Sequence, residues 1–374
     1  MDQLVSYVFE GLRRWDAVYL THVAEHGYTY ENTLAFFPLY PLTLRVIANV
    51  IFVPSSPLIS YTTAVLISGV GLNFALFCVT ALSLHELSKI VLQDSSIAFK
   101  ATLLFCINPA SIFFSACYSE TMFAFCTFQG LLFLHKKQHV KAAGMFGLSC
   151  LIRSNGLVNV GFVLYTNFNS AYKLFSVGIR TTKLDYFKQL ARILLLSVFQ
   201  IGLCVGCFLL FQYYTYELYC SNSIDLDLSK SLVAYGQERG YKMPRTNTSE
   251  WCDYRIPLSY SYIQDKHWNV GFMKYYQFKQ IPNFVLAAPM ILLCASAIIY
   301  YVVNNFSLCL TLGLRDENKY KYKKQDGDCV PLNDSGYLRS DVFVYIVHLA
   351  FLVSFAALMM HIQVRTVLFF CLLV

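Results

Sequence analysis

The sequence predicts an all-α protein that crosses a membrane several times, because of its composition and its long apolar stretches. Hydrophobic residues make up 56% of the 374 residues and charged residues only 14%, whereas soluble proteins usually contain about 25% charged residues. A helix crosses a bilayer core with roughly 20 apolar residues, and several stretches approach that length. We attribute the net charge of +7 to basic loops that face anionic lipid, and expect no nucleic-acid binding.

The apolar stretches define the candidate spans in chain order. The clearest cover residues 58–84, 97–116, 121–134, 190–213, 284–303 and 342–361. The stretch 34–53 is less regular, because it contains Pro38 and Pro41. The final run, 364–374, is about half the length of a span.

Basic residues near short loops orient the spans, because Lys and Arg remain on the cytoplasmic side. They mark three cytoplasmic loops, at 136–141, 173–188 and 319–324. The stretch 142–165 then has two basic ends, and it carries Arg153 and Asn155 at its middle. We interpret it as a re-entrant pair of half-helices that meet at 153–156 and enter and leave on the cytoplasmic side. Irregular backbone at this depth requires protein or a wet cavity around it.

This orientation divides the chain into segments with defined sides. The predicted order is a candidate catalytic loop with interfacial helices on the lumenal side at 1–57, transmembrane helices with the re-entrant pair at 58–213, a large lumenal loop at 214–282, a transmembrane helix at 283–304, a cytoplasmic loop at 305–340, and a last transmembrane segment with its tail at 341–374. Two polar regions that are distant in sequence therefore share one face of the membrane, as expected for a site that loops cover.

Asp16 is the strongest candidate site residue in the first segment. Only 22 residues of the chain are acidic, so a carboxylate between Trp15 and an apolar run indicates a site and not a solvated surface. The alternative is a helix cap beside an interfacial tryptophan, because aromatic residues favour the headgroup level.

Arg153 and Asn155 are a second candidate, since a charged side chain at membrane depth is costly. The predicted orientation places Arg153 nearer the cytoplasmic side and away from Asp16. There it would hold a helix end or a lipid headgroup. We therefore assign this pair a structural or lipid-phosphate role.

The 13 cysteines do not indicate a metal site. Most lie in apolar spans, where a free cysteine behaves as a small hydrophobic residue, and no zinc-type spacing is present. Cys220 and Cys252 alone share the large lumenal loop, and both the bridged and the free state remain open. Asn247 begins a glycosylation triplet in that loop, but Asn305 and Asn333 begin triplets on the predicted cytoplasmic side, so the triplet is weak support.

Several motifs resemble the PIG-V family. They are Trp15-Asp16, Glu25-His26-Gly27-Tyr28, Asn108-Pro109-Ala110, Tyr118-Ser119-Glu120, Arg153-Ser154-Asn155-Gly156-Leu157-Val158, Tyr260-Ser261-Tyr262-Ile263-Gln264-Asp265, Trp268-Asn269-Val270-Gly271-Phe272, Lys274-Tyr275-Tyr276, Gln280-Ile281-Pro282-Asn283-Phe284 and His361-Ile362-Gln363-Val364. They follow in order over nearly the whole chain. The resemblance implies the GT-C type of fold and the second mannosyltransferase of glycosylphosphatidylinositol (GPI) anchor synthesis, a multispanning enzyme of the endoplasmic reticulum membrane.

The resemblance implies transfer of mannose from dolichyl-phosphate mannose to the first mannose of the GPI precursor, in an α1,6 linkage. Because the donor is β-linked and the product α-linked, one inverting displacement is expected. A single base suffices, since a lipid phosphate leaves as a stable anion. Asp16 matches the position where GT-C enzymes hold their catalytic acidic residue. No cofactor or metal is implied; the partners are the GPI precursor, the lipid-linked donor and the membrane, with a small membrane subunit left open.

The family motifs and the predicted sides also suggest the substrate-binding residues. They are Trp15, His26, Tyr118, Glu120, Gln264, Trp268 and Asn269. The leaving phosphate needs positive charge, and His26 is our candidate because its predicted side is that of Asp16. Two alternatives stay open: Tyr118 and Glu120 could only end a span, and the aromatic residues at 254–276 could form an interfacial belt.

The chain departs from the family pattern at both ends. Family members have a membrane segment before the region that matches Met1 and further spans after 361–364, whereas here the last ten residues match nothing in the family. We therefore expect a truncated or alternatively spliced form whose own activity is in question. Two other classes are a non-catalytic membrane scaffold and a lipid or solute transporter; the absence of an internal repeat argues against the transporter.

Overall fold

A computed structural model describes residues 2–56, 58–108, 110–177, 183–221, 223–224, 228–246, 249–314, 322–325, 328–331 and 336–359. Four sequence predictions therefore lie outside the described residues, wholly or in large part. They are the tail and its 361–364 motif, the glycosylation triplets at Asn247 and Asn333, and the lysine run at 319–324.

The described chain is helical except for one small hairpin, which confirms the predicted class. In chain order the helices are α1 (Asp2–Phe9), α2 (Asp16–His26), α3 (Leu39–Ser55), α4 (Tyr61–Leu92), α5 (Ser95–Cys106), α6 (Ile112–Ser115), α7 (Glu120–His135), α8 (His139–Ile152), α9 (Val160–Val177), α10 (Lys183–Tyr219), α11 (Lys230–Glu238), α12 (Ser259–Trp268), α13 (Ile281–Asn304), α14 (Phe306–Leu310) and α15 (Phe343–Met359). Strands β1 (Tyr322–Gln325) and β2 (Asp328–Pro331) pair in antiparallel orientation.

Four helical segments among the described residues are long and apolar enough to cross a membrane. They are Tyr61–Leu92, Lys183–Tyr219, Phe278–Asn304 and Ser340–Met359. Three shorter apolar helices pack with them, namely Leu39–Ser55, Ser95–Cys106 and His139–Ile152. The protein is therefore a multispanning membrane protein, as composition predicts.

The predicted span 97–116 is wrong as a single helix, because α5 ends at Cys106 and the short α6 starts at Ile112. A local hydrogen bond stabilises the break between the two helices, because the Asn108 side-chain oxygen accepts the Ala110 N–H at 2.7 Å. A proline follows Asn108, and the residue before a proline is disfavoured in helical conformation.

Helices α8 and α9 form the two arms of a hairpin. The Gln200 amide of α10 joins both arms at one level, donating to the His139 carbonyl oxygen at 3.2 Å and accepting from Asn167 at 2.9 Å. A 3-10 helix at Ser154–Asn159 forms the turn. At Gly156 a side chain would collide with the backbone of α8, so this glycine allows the tight reversal. Both arms thus leave the turn toward the same end of the bundle; the side of the membrane they face stays a prediction.

The hydrophobic core has two parts, one between the long helices and one at the polar loop, which is the predicted loop at 214–282. The larger part joins α4, α7, α8, α10 and α15 around Phe105, Phe114 and Phe146. The second part includes Phe37 of the N-terminal region and Trp251 of the loop itself. Cys220 and Cys252 form a disulfide across this second part, with Cα atoms 5.5 Å apart, so the bridged state is the one observed.

The polar loop is fastened onto the N-terminal region by direct hydrogen bonds. The Glu31 N–H donates to the Lys242 carbonyl oxygen at 2.9 Å, and the Tyr30 hydroxyl donates to the Leu232 carbonyl oxygen at 2.9 Å. Residues 16–37 therefore lie directly below the loop that carries α12.

Candidate active site

Asp16, Glu120 and Arg153 line one cavity, of about 130 Å³, although they are far apart in sequence. Asp16 begins α2, Glu120 begins α7, and Arg153 directly follows α8. An Arg153 guanidinium nitrogen lies 2.5 Å from Glu120 Oε1, and the same nitrogen donates to the Ser119 hydroxyl at 3.2 Å. The hairpin turn thus brings a cation to two carboxylates.

The backbone around Trp15 directs Asp16 into this cavity. Trp15 has φ 51°, in the left-handed region that costs free energy for a residue with a side chain. Trp15 is 75% exposed, whereas Asp16, the next residue, lines the cavity. The Tyr118 hydroxyl donates to the Arg14 carbonyl oxygen at 3.0 Å, so the strained segment is held against the start of α7.

Burial, and then the nearby charge of Glu120, raise the pKa of Asp16 to about 6, with the Arg153 guanidinium opposing the rise. A base whose pKa lies near the working pH combines ionisation with useful proton affinity. Asp16 therefore has the properties of a general base at neutral pH.

Glu120 keeps one oxygen available at the cavity. Its Oε1 receives the Arg153 guanidinium, while its Oε2 is buried without a hydrogen-bond partner among the described residues. A buried polar atom without a partner is costly. A substrate hydroxyl in the cavity would satisfy this oxygen.

Helix α12 covers the cavity with Tyr260, Gln264 and Trp268. The Ser154 hydroxyl of the hairpin turn donates to the Tyr260 hydroxyl at 2.6 Å. The Gln212 side-chain oxygen accepts the Tyr260 N–H at 3.1 Å, which fastens the start of α12 to α10. The roof is therefore attached to both the turn and the long helix beneath it.

A larger apolar groove, of about 430 Å³, opens beside the cavity. The two spaces have walls in common, formed by Glu120, Arg153, Ser154, Asn155, Tyr260, Gln264 and Val270. Beyond this junction the groove is lined mainly by apolar side chains of α7 and α15, such as Phe123 and Phe351. A polar chamber is thus continuous with a space suited to hydrocarbon.

The sequence-predicted position of Arg153 is wrong. We expected it nearer the cytoplasmic side and apart from Asp16, but it lies in the same cavity and lowers the pKa of Asp16. The reason is length: α8 has 14 residues, or about 21 Å, so the hairpin turn reaches deep into the bundle. Asn155 lies with Arg153 at the junction.

Three other predicted substrate contacts do not line the cavity. Trp15 points outward, Asn269 ends α12 with φ 52°, and His26 pairs with Glu25 on the outside of α2 at 3.7 Å. Helix geometry explains His26: it lies ten positions after Asp16, which turns its side chain about 80° away and places it about 15 Å further along α2. His22 does not supply the positive charge in place of His26, because burial, and then His26, lower the pKa of His22 to about 4.

The sequence-predicted residues Asp16, Tyr118, Glu120, Gln264 and Trp268 all line the cavity. Sequence analysis missed Ser119, Ser154, Phe36, Phe37 and Tyr260 as wall residues. Ser119, Ser154 and Tyr260 lie in the motifs that carry the resemblance, whereas Phe36 and Phe37 lie outside them, and only contacts between distant segments identify which residues face inward. Among the described residues, no group of three or more His, Cys, Asp or Glu side chains is placed to hold a metal ion.

A desolvated carboxylate in a cavity beside an apolar groove, within a bundle of membrane-length helices, defines a class: a polytopic membrane enzyme. The family described as Mannosyltransferase (PIG-V) matches residues 1–372, and the chain belongs to this family of GT-C membrane glycosyltransferases. The resemblance predicted from the motifs is thereby confirmed, whereas the expectation that the last ten residues match nothing in the family is wrong, because the match extends to residue 372.

Relatives match over almost the whole chain. The chain is 41% identical to GPI alpha-1,6-mannosyltransferase 2 of Homo sapiens over 367 residues, which cover 98% of this chain and 71% of the relative. It is 40% identical to the protein of the same name from Cricetulus griseus, covering 98% of this chain and 72% of the relative. It is 35% identical to GPI mannosyltransferase 2 of Drosophila pseudoobscura pseudoobscura, covering 98% and 76%. No solved structure matches the chain.

Proposed function

We propose that the protein transfers the second mannose of the GPI anchor precursor, in an α1,6 linkage, from dolichyl-phosphate mannose. The names of the relatives support the acceptor and the linkage. The observation that carries the donor assignment is the junction between the polar chamber and the apolar groove at Arg153 and Asn155. A sugar joined through phosphate to a lipid chain requires a polar, a cationic and an apolar environment in that order.

Each part of the donor has a matching place. The mannose occupies the chamber beside Asp16, and the phosphate lies at the junction near Arg153 and Asn155. The first part of the lipid chain lies between Phe123 and Phe351 in the groove. Such a mostly apolar space with a few convergent polar groups is typical of small-molecule sites.

The reaction is one inverting displacement. The 6-hydroxyl oxygen of the acceptor mannose attacks the anomeric carbon of the donor, and the bond from that carbon to the phosphate oxygen breaks. Asp16 takes the hydroxyl proton, and dolichyl phosphate leaves as an anion. The configuration changes from β to α, and no general acid is needed because the leaving group is already stable.

The neighbouring polar groups position the reactants. Arg153 supplies fixed positive charge near the phosphate, where such charge typically contributes a few kcal/mol to the transition state. The unpartnered Oε2 of Glu120 accepts a sugar hydroxyl, and the Gln264 amide faces it from the roof. Trp268 and Phe36, with ring centroids 5.8 Å apart, form an apolar wall for a sugar face.

We place the reaction at the endoplasmic reticulum membrane, with Asp16 and the 214–282 loop on the lumenal side. The disulfide in that loop supports this side, because disulfides form in oxidising compartments. The partners are the GPI precursor, the lipid-linked donor and the membrane. No cofactor or metal is assigned. Co-purification would test whether a small membrane subunit binds the protein.

The test is a transfer assay in membranes from cells that lack this activity and express the chain. The acceptor is the GPI precursor with one mannose, and the donor is labelled dolichyl-phosphate mannose. We expect one added mannose that a linkage-specific α1,6-mannosidase removes. Labelling from GDP-mannose while formation of the lipid-linked donor is blocked, or a product in another linkage, would contradict the proposal. Repeating the assay with a chelator tests the metal-free expectation.

A further inference from the structure

A third cavity, of about 870 Å³, lies against the start of α8 and the first half of α10. We call it the basic groove. It is lined by residues at the start of α8, from Lys137 to Lys141, and by residues of α10 between Lys188 and Phe199. His139 begins α8 and Arg153 follows its last residue, so the basic groove and the Asp16 cavity lie at opposite ends of a helix about 21 Å long.

The charge of the basic groove has one sign. Lys137, Lys141, Lys188 and Arg192 line it, and among the described residues no Asp or Glu does. In the part of the chain that the structure describes, none of these four side chains forms an ion pair with a carboxylate. Four like charges around one cavity repel one another, and an anion held between them relieves that repulsion.

The N-terminus of α8 adds donors to the same place. The first N–H with an intrahelical acceptor is that of Ala142, which donates to the Gln138 carbonyl oxygen, and no side chain caps the helix. The first-turn amides therefore carry the partial positive charge that favours anions at helix N-termini. His139 Nδ1 is also buried without a hydrogen-bond partner among the described residues.

The remaining wall is apolar and faces outward. Leu195 is 72% exposed and Phe199 is 52% exposed, and both belong to α10, one of the candidate membrane spans. Exposed apolar side chains on a span are in contact with hydrocarbon. The basic groove therefore combines an anion-binding end with a surface on which an acyl chain can lie.

We propose that the basic groove binds one anionic phospholipid of the leaflet opposite the Asp16 cavity. The phosphate and headgroup contact Lys141, Lys188, Arg192 and the α8 N-terminus, and an acyl chain follows Leu195 and the residues beside it. Basic pockets between membrane helices are known places for anionic headgroups. A free phosphate ion would use the charged end alone, so the two-part lining favours the lipid.

The bound lipid joins the two helices that position the active site. Helix α10 already contacts α8 through Gln200 and through Cys204, whose thiol donates to the Ala143 carbonyl oxygen at 3.7 Å. A headgroup held by both helices reinforces this packing, and the far end of α8 leads directly to Arg153. The inference does not depend on which donor or acceptor the enzyme uses.

The experiment measures thermal unfolding of the purified full chain in a non-ionic detergent. Phosphatidylserine, phosphatidylcholine or inorganic phosphate is added to separate samples. One variant carries Lys141→Gln, Lys188→Gln and Arg192→Gln. Its matched control carries Lys89→Gln, Lys136→Gln and Lys173→Gln, which remove the same charge outside the basic groove.

We expect phosphatidylserine to raise the unfolding midpoint of the wild type and the control by several degrees, and the groove variant to lose that shift. Phosphatidylcholine and inorganic phosphate should leave every midpoint unchanged. An undiminished shift in the groove variant would overturn the proposal, as would equal shifts with phosphatidylcholine or with phosphate. The single variant Arg192→Gln tests the proposal even if the triple variant is unstable. In native mass spectrometry, the amount of phosphatidylserine bound to this variant should fall at least several-fold. Full retention of the lipid contradicts the proposal.

Discussion

Two carboxylate clusters, each joining segments that are distant in sequence, differ in how folding changes the pKa of their carboxylate. The cavity cluster consists of Asp16, Glu120 and Arg153, and the loop cluster consists of Glu31, His267, Ser249 and Lys242. In the cavity cluster, folding makes Asp16 a weaker acid. In the loop cluster, folding makes Glu31 a stronger acid.

The opposite shifts have different causes. Burial and the like charge of Glu120 raise the pKa of Asp16 to about 6. Burial also raises the pKa of Glu31, whose side chain is 1% exposed, but the hydrogen bond with His267, the nearby Ser249 hydroxyl and the charge of Lys242 outweigh burial and lower the pKa. His267 Nε2 lies 3.3 Å from the Glu31 carboxylate.

The contrast shows that partners, and not burial, separate a reactive carboxylate from a structural one. A carboxylate that folding favours in its ionised form stabilises the protein at neutral pH. A carboxylate that folding disfavours in its ionised form destabilises the protein there and retains proton affinity, which is useful in a base. Asp16 thus has a functional signature, and Glu31 has the signature of a support for α12.

Among the variants of the two clusters, Asp16→Asn should have the largest effect, which is on transfer activity. Loss of a general base typically lowers the rate about 10²–10⁴-fold, so this variant should fail to restore surface GPI-anchored proteins in cells that lack the activity. Its stability should rise at neutral pH, because the folded-state pKa of Asp16 lies above the unfolded value. The shift from 3.8 to about 6 limits the gain to about 3 kcal/mol, and contact with water reduces it. Rescue equal to wild type would remove the base assignment.

Arg153→Met tests whether the cavity cluster is held by its cation. The substitution leaves Glu120 buried beside Asp16 without compensation, and breaking a buried pair in this way costs about 3–5 kcal/mol. The double variant Arg153→Met/Glu120→Met should recover most of that stability in thermal unfolding. Transfer activity should stay low in both variants if Arg153 also serves the phosphate. Normal activity in the double variant would reduce Arg153 to a structural role.

Glu31→Gln should give the reverse pattern in the loop cluster. The amide loses the charge-assisted bond to His267, and such bonds contribute about 1.5–3 kcal/mol. Because the folded-state pKa of Glu31 is lowered, its stabilisation is present at neutral pH and is lost as the pH falls through that value. Stability should therefore fall at pH 7, with transfer activity reduced only in proportion to folded protein. Glu250→Gln, at the exposed carboxylate beside Lys242, is the matched control and should change little.

How well each helix could be predicted depends on how strong its sequence pattern is. Span composition predicted α4, α10, α13 and α15, because membrane-length apolar runs are strong signals, and the shorter apolar run 121–134 predicted α7. The break between α5 and α6 was missed although Asn108 precedes a proline, since an apolar window outweighs one local turn signal.

The candidate site was predictable where it depends on motifs and not where it depends on depth. Asp16, Glu120, Gln264 and Trp268 were found through their motifs. Arg153 was misplaced because loop charge specifies on which side a hairpin ends but not how far its turn reaches. His26 was assigned by its predicted side of the membrane and Trp15 by its motif, whereas helix geometry and the conformation of Trp15 turn them away from Asp16.

The pH dependence of kcat/KM offers the finest comparison. Asp16 must be ionised to accept a proton, so kcat/KM should fall as the pH decreases through about 6, by about tenfold per pH unit well below it. Glu120→Gln removes the like charge that raises this pKa, so the midpoint should move to lower pH. Glu31→Gln belongs to the other cluster and should leave the midpoint where it is. A midpoint that moved with Glu31 but not with Glu120 would mean that the titrating base is not Asp16, because the loop cluster would then control the proton acceptor.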